Sequence, residues 1–288
     1  NIRMLLNFQK DIVDCITVAT LNAAECYGLN DRGAIACGRK ADFIVFDDIK
    51  DFSVKQVYKN GVLVAENGKA LFEAKSMPSK AVLNTMHAKP IIKKQLEIKL
   101  KSNKAKVMRI MPHNVVTFKE IREVNLSQDN LYLLTAGLNK ICVVERHKYT
   151  GNVGVGLIEN YNIKNGAIAL SVAHDSHNII AVGDNDADIV KAVNRIIKCG
   201  GGWTVFSNGV EQATLPLPIA GLMSDCNADY VLKKTEELIG IAHKLGVPSL
   251  TEPFMSLSFM SLVVIPQLKI TDRGLFDVDA YGFTSLDA

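Results

Sequence analysis

The sequence predicts an α+β fold in which a helical lead and a small β-module precede a larger domain built on a mixed sheet. Three observations carry this expectation. Short apolar runs are bounded by turn residues, and Asn60-Gly61 and Asn208-Gly209 are strong hairpin signals because Asn and Gly accept the positive φ of a type I′ turn. Two long stretches, 186–198 and 228–245, have helical periodicity with end signals. Strands and helices mix without a regular βαβ repeat.

Along the chain, residues 1–30 read as helical. Ile2, Leu5, Leu6, Ile12, Val13 and Ile16 form an apolar face, and Thr20 is a plausible N-cap for a short helix ending near Gly28. Residues 31–75 read as the β-module, with strands at Gly33–Ile35, Ala41–Phe46 and Val54–Tyr58 and a turn at Asn60-Gly61. Residues 76–104 read as a linker that Met77-Pro78-Ser79 punctuates. Its lysine run, Lys89 to Lys106, holds seven lysines and one glutamate, reads as solvated, and has room for a short helix around Ile91 to Leu100.

The larger domain, 105–288, has strand candidates at Val107–Met111, Ile141–Glu145, Gly154–Ile158, Ala167–Val172, Asn178–Val182 and Trp203–Phe206, with a further strand after Asn208-Gly209. Asp186 is the expected cap of the helix 186–198, which Gly200-Gly201-Gly202 stops. Asn227 and Gly246 bound the helix 228–245. The triple glycine follows a helix instead of opening one, so it reads as tight packing more readily than as a phosphate cradle. Leu215 to Asp225 is a rigid apolar loop, either lining a pocket or packed as a connection. Phe254 to Met260 reads as core, and His87, His113 and His243 as surface or structural.

Composition narrows the function classes. The 288 residues are 48 % apolar and 22 % charged, as in a soluble globular protein with two cores. A net charge of +3, and a lysine run without aromatics or arginines, argue against a nucleic-acid partner. The longest apolar stretch, Leu257 to Pro266, is too short to span a bilayer, so no membrane partner is expected. Six scattered cysteines without a CxxC pair point to reduced, mostly buried thiols in a cytoplasm. The chain opens on Asn1 and is expected to be a piece of something longer.

The most informative segment is His174-Asp175-Ser176-His177-Asn178, five polar residues between two apolar runs. A turn between buried strands rarely needs two imidazoles. Glu145-Arg146-His147 ends a third apolar run, and Glu145 beside His147 forms a possible acid/base pair. Two such strand ends in one domain lead to the expectation that Glu145, His147, His174, Asp175, His177 and Asn178 converge on one polar site. The competing reading is a pair of hydrogen-bonded turns with structural histidines.

These residues carry a family resemblance. Glu145-Arg146-His147 with Thr150-Gly151, Gly166–Ala169 running to His174–Asn178, Leu215–Ser224, and Pro253–Phe259 with Ile265-Pro266 and Leu268–Leu275 resemble the C-terminal domain of bacterial adenine deaminases of the amidohydrolase superfamily. Ala19–Ala24, Gly33–Phe43 and Val57–Gly61 are similar to the tail of an amidohydrolase: the last barrel helix and the β-domain that follows it. The resemblance implies a fold class of amidohydrolase β-domain remnant plus mixed α/β adenine-deaminase C-terminal domain. Residues 1–30 are then the last helical segment of a truncated barrel, and 31–75 the β-domain remnant.

It further implies adenine as substrate of the complete enzyme, and manganese or iron as a divalent cofactor bound by a barrel half. An HxH pair, which that barrel supplies, occurs nowhere in this chain, so no metal ligand is assigned here and the chain alone is expected to be inactive. The expected partners are the barrel half and further copies in a homo-oligomer. The alternative is a non-catalytic structural or oligomerisation domain.

Overall fold

The computed structural model describes residues 2–8, 11–48, 52–73 and 80–288. The chain divides into two compact units, Asn1–Ser76 and Met77–Ala288. Met77-Pro78-Ser79 lies outside the described residues.

In the first unit, helices α1 (Ile2–Leu6), α2 (Ile12–Thr17) and α3 (Ala23–Cys26) precede a four-stranded antiparallel meander, β1 (Phe43–Phe46), β2 (Val54–Lys59), β3 (Val62–Glu66) and β4 (Lys69–Ala70). Asp11 begins α2, its carboxylate accepting from the Val13 amide at 2.8 Å. Thr20 does not cap a helix. It sits in a wide π-turn over Val18–Asn22 that joins α2 to α3, and its hydroxyl donates to the Ile16 carbonyl at 2.7 Å. Gly33–Ile35 is not a strand either: Gly33 has φ +91, and its α-carbon packs so close to Ala24 that a β-carbon would lie 2.6 Å from the alanine methyl. The β2–β3 hairpin turns at Asn60 (φ 50) and Gly61 (φ 76), as its sequence predicts.

This unit is thinly packed. Among its described residues the buried apolar side chains are Cys15, Ala24 and Phe52. Of the helical face expected from sequence, Val13 is exposed and Ile2, Leu5, Leu6, Ile12 and Ile16 are half-buried. A cavity of about 540 Å³ lies among Ile16, Ala24, Phe43, Phe46 and Phe52.

The second unit opens with single 3₁₀ turns at Lys80–Val82 and Lys93–Leu96. Its elements are β5 (Lys104–Ile110), β6 (Thr117–Glu123), β7 (Asn125–Leu126), β8 (Tyr132–Leu133), β9 (Leu138–Val144), β10 (Val153–Glu159), β11 (Gly166–Leu170), β12 (Ile179–Gly183), α4 (Asp186–Lys198), β13 (Gly202–Ser207), β14 (Val210–Pro216), α5 (Ala228–Lys244), α6 (Pro253–Ser258), β15 (Leu268–Thr271), β16 (Gly274–Asp277) and β17 (Gly282–Phe283). Eight strands form one sheet in the order β14-β13-β11-β12-β9-β10-β5-β6. Every neighbouring pair is antiparallel except β10 with β5, so the sheet is mixed.

Both faces of its centre are covered. Ile141, Val143, Ile168, Leu170, Ile180 and Val182 pack with Leu238 and Ala242 of α5 and Phe254 and Leu257 of α6. Cys142, Val144, Ala167, Ala169, Ile179 and Ala181 pack with Ile189, Ala192, Val193 and Ile196 of α4. Burial on both faces is why these strands read as unbroken apolar runs instead of alternating ones.

Several expectations need correction. Asn185, not Asp186, caps α4: its side chain accepts from the Asp188 amide at 2.9 Å, while Asp186 pairs with Lys140 at 2.6 Å. The lysine run is not a solvated segment, because Ile91, Leu96, Ile98 and Leu100 between its lysines are buried in this unit. Only Cys15 and Cys142 of the six free cysteines are buried, while Cys26, Cys37 and Cys226 are exposed. The strands β6 and β15–β17 had no sequence-based counterpart. The Asn208-Gly209 turn, the Asn227 cap and the Gly246 stop are as expected.

Gly154 is a position where the fold requires glycine, since a β-carbon there would run into the Thr271 carbonyl oxygen. Gly240, within α5, has open space around it. Gly154→Ala should therefore destabilise the chain by about 2–3 kcal/mol through overpacking. Gly240→Ala should stabilise it by about 0.5–1 kcal/mol through helix propensity. Chemical denaturation of the two variants checks both signs.

Candidate functional site

Val144, the last residue of β9, pairs with Ile179, the first residue of β12. That register sets Glu145-Arg146-His147 beside His177-Asn178 at one end of the sheet. The two polar clusters, 29–32 residues apart in the chain, share hydrogen bonds across this end.

Glu145 is buried and its carboxylate is saturated. One oxygen accepts from the His147 amide (2.5 Å) and the Lys148 amide (2.7 Å), and the other from the Thr150 amide and hydroxyl (both 3.0 Å). Burial on its own raises this carboxyl's pKa, but the donated hydrogen bonds outweigh it and hold the group below the usual carboxylate range. Glu145 thus anchors the 145–150 loop. Asn178, also buried, is a second frame residue: its Oδ1 accepts from the Arg146 amide and its Nδ2 donates to Asp272, both at 3.3 Å. Asp272 receives a further bond from Asn152 at 3.3 Å, which ties the β10 strand start to the same frame.

The histidines form the rim. His147 is exposed, and its Nε2 lies 2.7 Å from the Ser176 carbonyl oxygen. His174 is half-buried. Its amide donates to the Ser258 carbonyl at 2.9 Å, its own carbonyl accepts from the Ser261 hydroxyl at 3.0 Å, and its ring packs against Phe259 at 4.6 Å between centroids. The His174 and His177 rings meet edge to face at 6.1 Å. His177 has left-handed backbone (φ 51), and its Nδ1 is buried without a hydrogen-bond partner. Burial lowers its pKa first, the Arg146 charge and the other two histidines lower it further, and Asp175 opposes them. His177 is therefore neutral near pH 7 and presents both a donor and an acceptor nitrogen. Asp175 and Ser176 are exposed at the tip of the turn.

All six residues singled out from sequence thus gather at this sheet end, but in two tiers. Glu145 and Asn178 are consumed in holding the frame, whereas His147 and Asp175 are exposed and His174 and His177 half-buried. Three residues were overlooked: Arg146, Asp272 and Gly221. Arg146 carried a signal, as the cation of the Glu145-Arg146-His147 cluster that follows a seven-residue buried strand. Asp272 and Gly221 lay in stretches that carry the family resemblance, but no local signal put them at this site, because only tertiary packing brings them here.

Because Glu145 is more acidic folded than unfolded, its stabilising effect is complete above the ordinary glutamate value of 4.5 and is lost as pH falls below it. Amide exchange at 147–150 should accelerate, relative to the β9 core, as pH is lowered through that range. Glu145→Gln should show fast exchange there at neutral pH and lose the pH dependence. Unchanged protection in the variant would show that the loop is held by something else.

Residues 114–281 match the model of the adenine deaminase C-terminal domain, and residues 2–64 match the amidohydrolase family. The chain is 45 % identical over 287 residues to an adenine deaminase of Nitratidesulfovibrio vulgaris, covering 99 % of this chain and 50 % of that protein. It is 46 % identical over 283 residues to adenine deaminase 2 of Carboxydothermus hydrogenoformans (97 % and 49 %), and 44 % over 274 residues to an adenine deaminase of Clostridium acetobutylicum (93 % and 48 %). The chain spans about half the length of these curated relatives. With the matched region containing the whole polar sheet end, the chain belongs to the adenine deaminase C-terminal domain family.

Proposed function

We propose that this chain is the C-terminal half of a metal-dependent adenine deaminase, which converts adenine and water to hypoxanthine and ammonia in cytoplasmic purine salvage. The observation that carries the reading is the match of two successive family segments along one chain, with the relatives named adenine deaminase extending about as far again beyond the match. Six unpaired thiols agree with a reducing compartment. Among the described residues no helix is long and apolar enough to cross a membrane.

In this reading the reaction's metal, manganese or iron, belongs to the other half. Among the described residues no three His, Cys, Asp or Glu side chains are grouped to hold a metal ion, so the donor set here does not fit one. The contribution assigned to this chain is a polar cover: His147, His174, Asp175 and His177 face the substrate or its bound water, while Glu145 and Asn178 hold the backbone that carries them. The half-buried imidazole of His177, neutral near pH 7, is suited to exchange hydrogen bonds with a purine without competing as a cation. The first unit, with its thin core and its 540 Å³ cavity, is assigned the contact with the upstream half, and the complete protein is taken to form a homo-oligomer.

A second reading has one observation in its favour. The saturated carboxylate of Glu145 is what a purely structural domain would also contain. In that reading the chain is a non-catalytic oligomerisation domain with structural histidines.

Two measurements decide between them. The purified chain with added manganese or iron should release no ammonia from adenine. The protein completed by the upstream half of a relative should do so, with the first unit gaining amide-exchange protection on completion. In that complete enzyme, His174→Ala and His177→Ala should each lower kcat/KM about a hundredfold or more with little change in Tm. Near-normal turnover of both variants would favour the structural reading.

A further inference from the structure

Arg146 is 2 % exposed, yet among the described ion pairs it has no carboxylate partner. Its guanidinium is spent on backbone oxygens. Nε donates to the His177 carbonyl and Nη2 to the Ala220 carbonyl, the latter at 3.1 Å. Its own amide donates to Asn178 Oδ1 at 3.3 Å, and its carbonyl accepts from the His87 amide at 2.8 Å. Burying a cation without a counter-charge is expensive, and an apolar side chain of similar volume would fill the space at lower cost. The charge therefore calls for a reason other than stability.

The geometry around it supplies one. Residues 220 and 221 both adopt left-handed backbone, φ 57 and φ 70, which turns the Ala220 carbonyl onto the guanidinium. A β-carbon at 221 would lie 2.5 Å from Arg146 Nη1, so glycine there leaves room for the fork. Ser171 secures the far side, donating to the Gly221 carbonyl at 2.6 Å and accepting from the Gly202 amide at 2.8 Å. One planar cation thus joins the end of β9, the 174–178 turn and the 219–223 loop.

We propose that Arg146 is the positioning residue of this sheet end, its fork fixing the 174–178 turn against the 219–223 loop so that the His174 and His177 rings hold one orientation toward a ligand. The inference rests on the reading that this turn lines the site. The same cation acts on His177 through space, in concert with His174 and His147 and against Asp175, the titratable groups that face the ring.

The test separates fork from charge. In this chain, imidazole NMR should find His177 titrating below 6.5. Arg146→Gln should raise that midpoint and weaken the contact between the His174 and His177 rings. Arg146→Lys keeps the charge but loses the planar fork, so the midpoint should stay low while the ring contact is lost. Gly221→Ala leaves Arg146 in place and displaces its guanidinium, and it should disturb the ring contact even if the Gln variant fails to fold.

In the completed enzyme, Arg146→Lys should cost about a hundredfold in kcat/KM, the effect of misplacing reacting groups by about an ångström. Ring contacts that survive in both Arg146→Lys and Gly221→Ala would overturn the proposal, as would full activity of Arg146→Lys. If instead the His174→Ala and His177→Ala enzymes are fully active while the ring contacts depend on Arg146, the site reading fails and the clamp stands as a structural one.

Discussion

The pairing of β9 with β12 is the constraint on which the rest of the site depends. Leu138–Val144 and Ile179–Gly183 are buried residue by residue, with odd and even positions facing different helical layers. A slip of one residue would exchange the side chains packed on α4 for those packed on α5 and α6, so neither strand can shift without dismantling both cores. The register puts Val144 opposite Ile179. The residues flanking that last pair are forced to meet: Glu145-Arg146-His147 on one side, His177-Asn178 on the other. The proximity of the polar groups is thus set by apolar packing some distance from them.

Holding polar side chains at such an end is a separate problem. Each needs a partner, because an unsatisfied buried group costs about 1–3 kcal/mol. The molecule solves it by division of labour. Glu145 takes four donors from its own loop, Asn178 bridges Arg146 to Asp272, and Arg146 takes carbonyls from two loops. The imidazole of His147 adds a link of its own, its Nε2 lying 2.7 Å from the Ser176 carbonyl oxygen. His177 Nδ1 is buried and has no hydrogen-bond partner in this frame.

Legibility from sequence followed the physics of each element. The helix Asp186–Lys198 and the turns at Asn60-Gly61 and Asn208-Gly209 were readable because their signals are local: periodicity in one case, positive φ in the other. The central strands were readable because double-sided burial writes a continuous apolar run. The edge strand β6 (TFKEIRE) was not, since Glu120 and Arg122 share its half-buried positions with Phe118 while Ile121 is exposed, which breaks the apolar alternation. Thr20 misled because a π-turn continues the helical path through a residue that elsewhere would start one. Asp186 misled because a capping side chain was one residue upstream, leaving Asp186 free to pair with Lys140. At the site, the polar clusters were visible as interruptions of apolar runs. Their division into frame and rim was not, because it depends on Asp272 and Gly221, which lie 94 and 44 residues beyond Asn178 and His177.

The two units of the chain stand in different thermodynamic positions. The second has an eight-stranded sheet with both faces of its centre covered, so its hydrogen bonds and apolar contacts are mutually dependent and open together. The first has a meander and three short helices around an apolar cavity, with Val13, Val18, Tyr27 and Ile35 exposed. Burial at roughly 25 cal/mol per Å² of apolar surface is what offsets chain entropy, and the described residues of this unit realise little of it. Among its described residues this unit has a small core, whereas the polar sheet end of the second unit rests on a sheet whose centre is covered on both faces. Polar groups held by a core of that kind are ordered before anything binds, so little free energy is lost in ordering them.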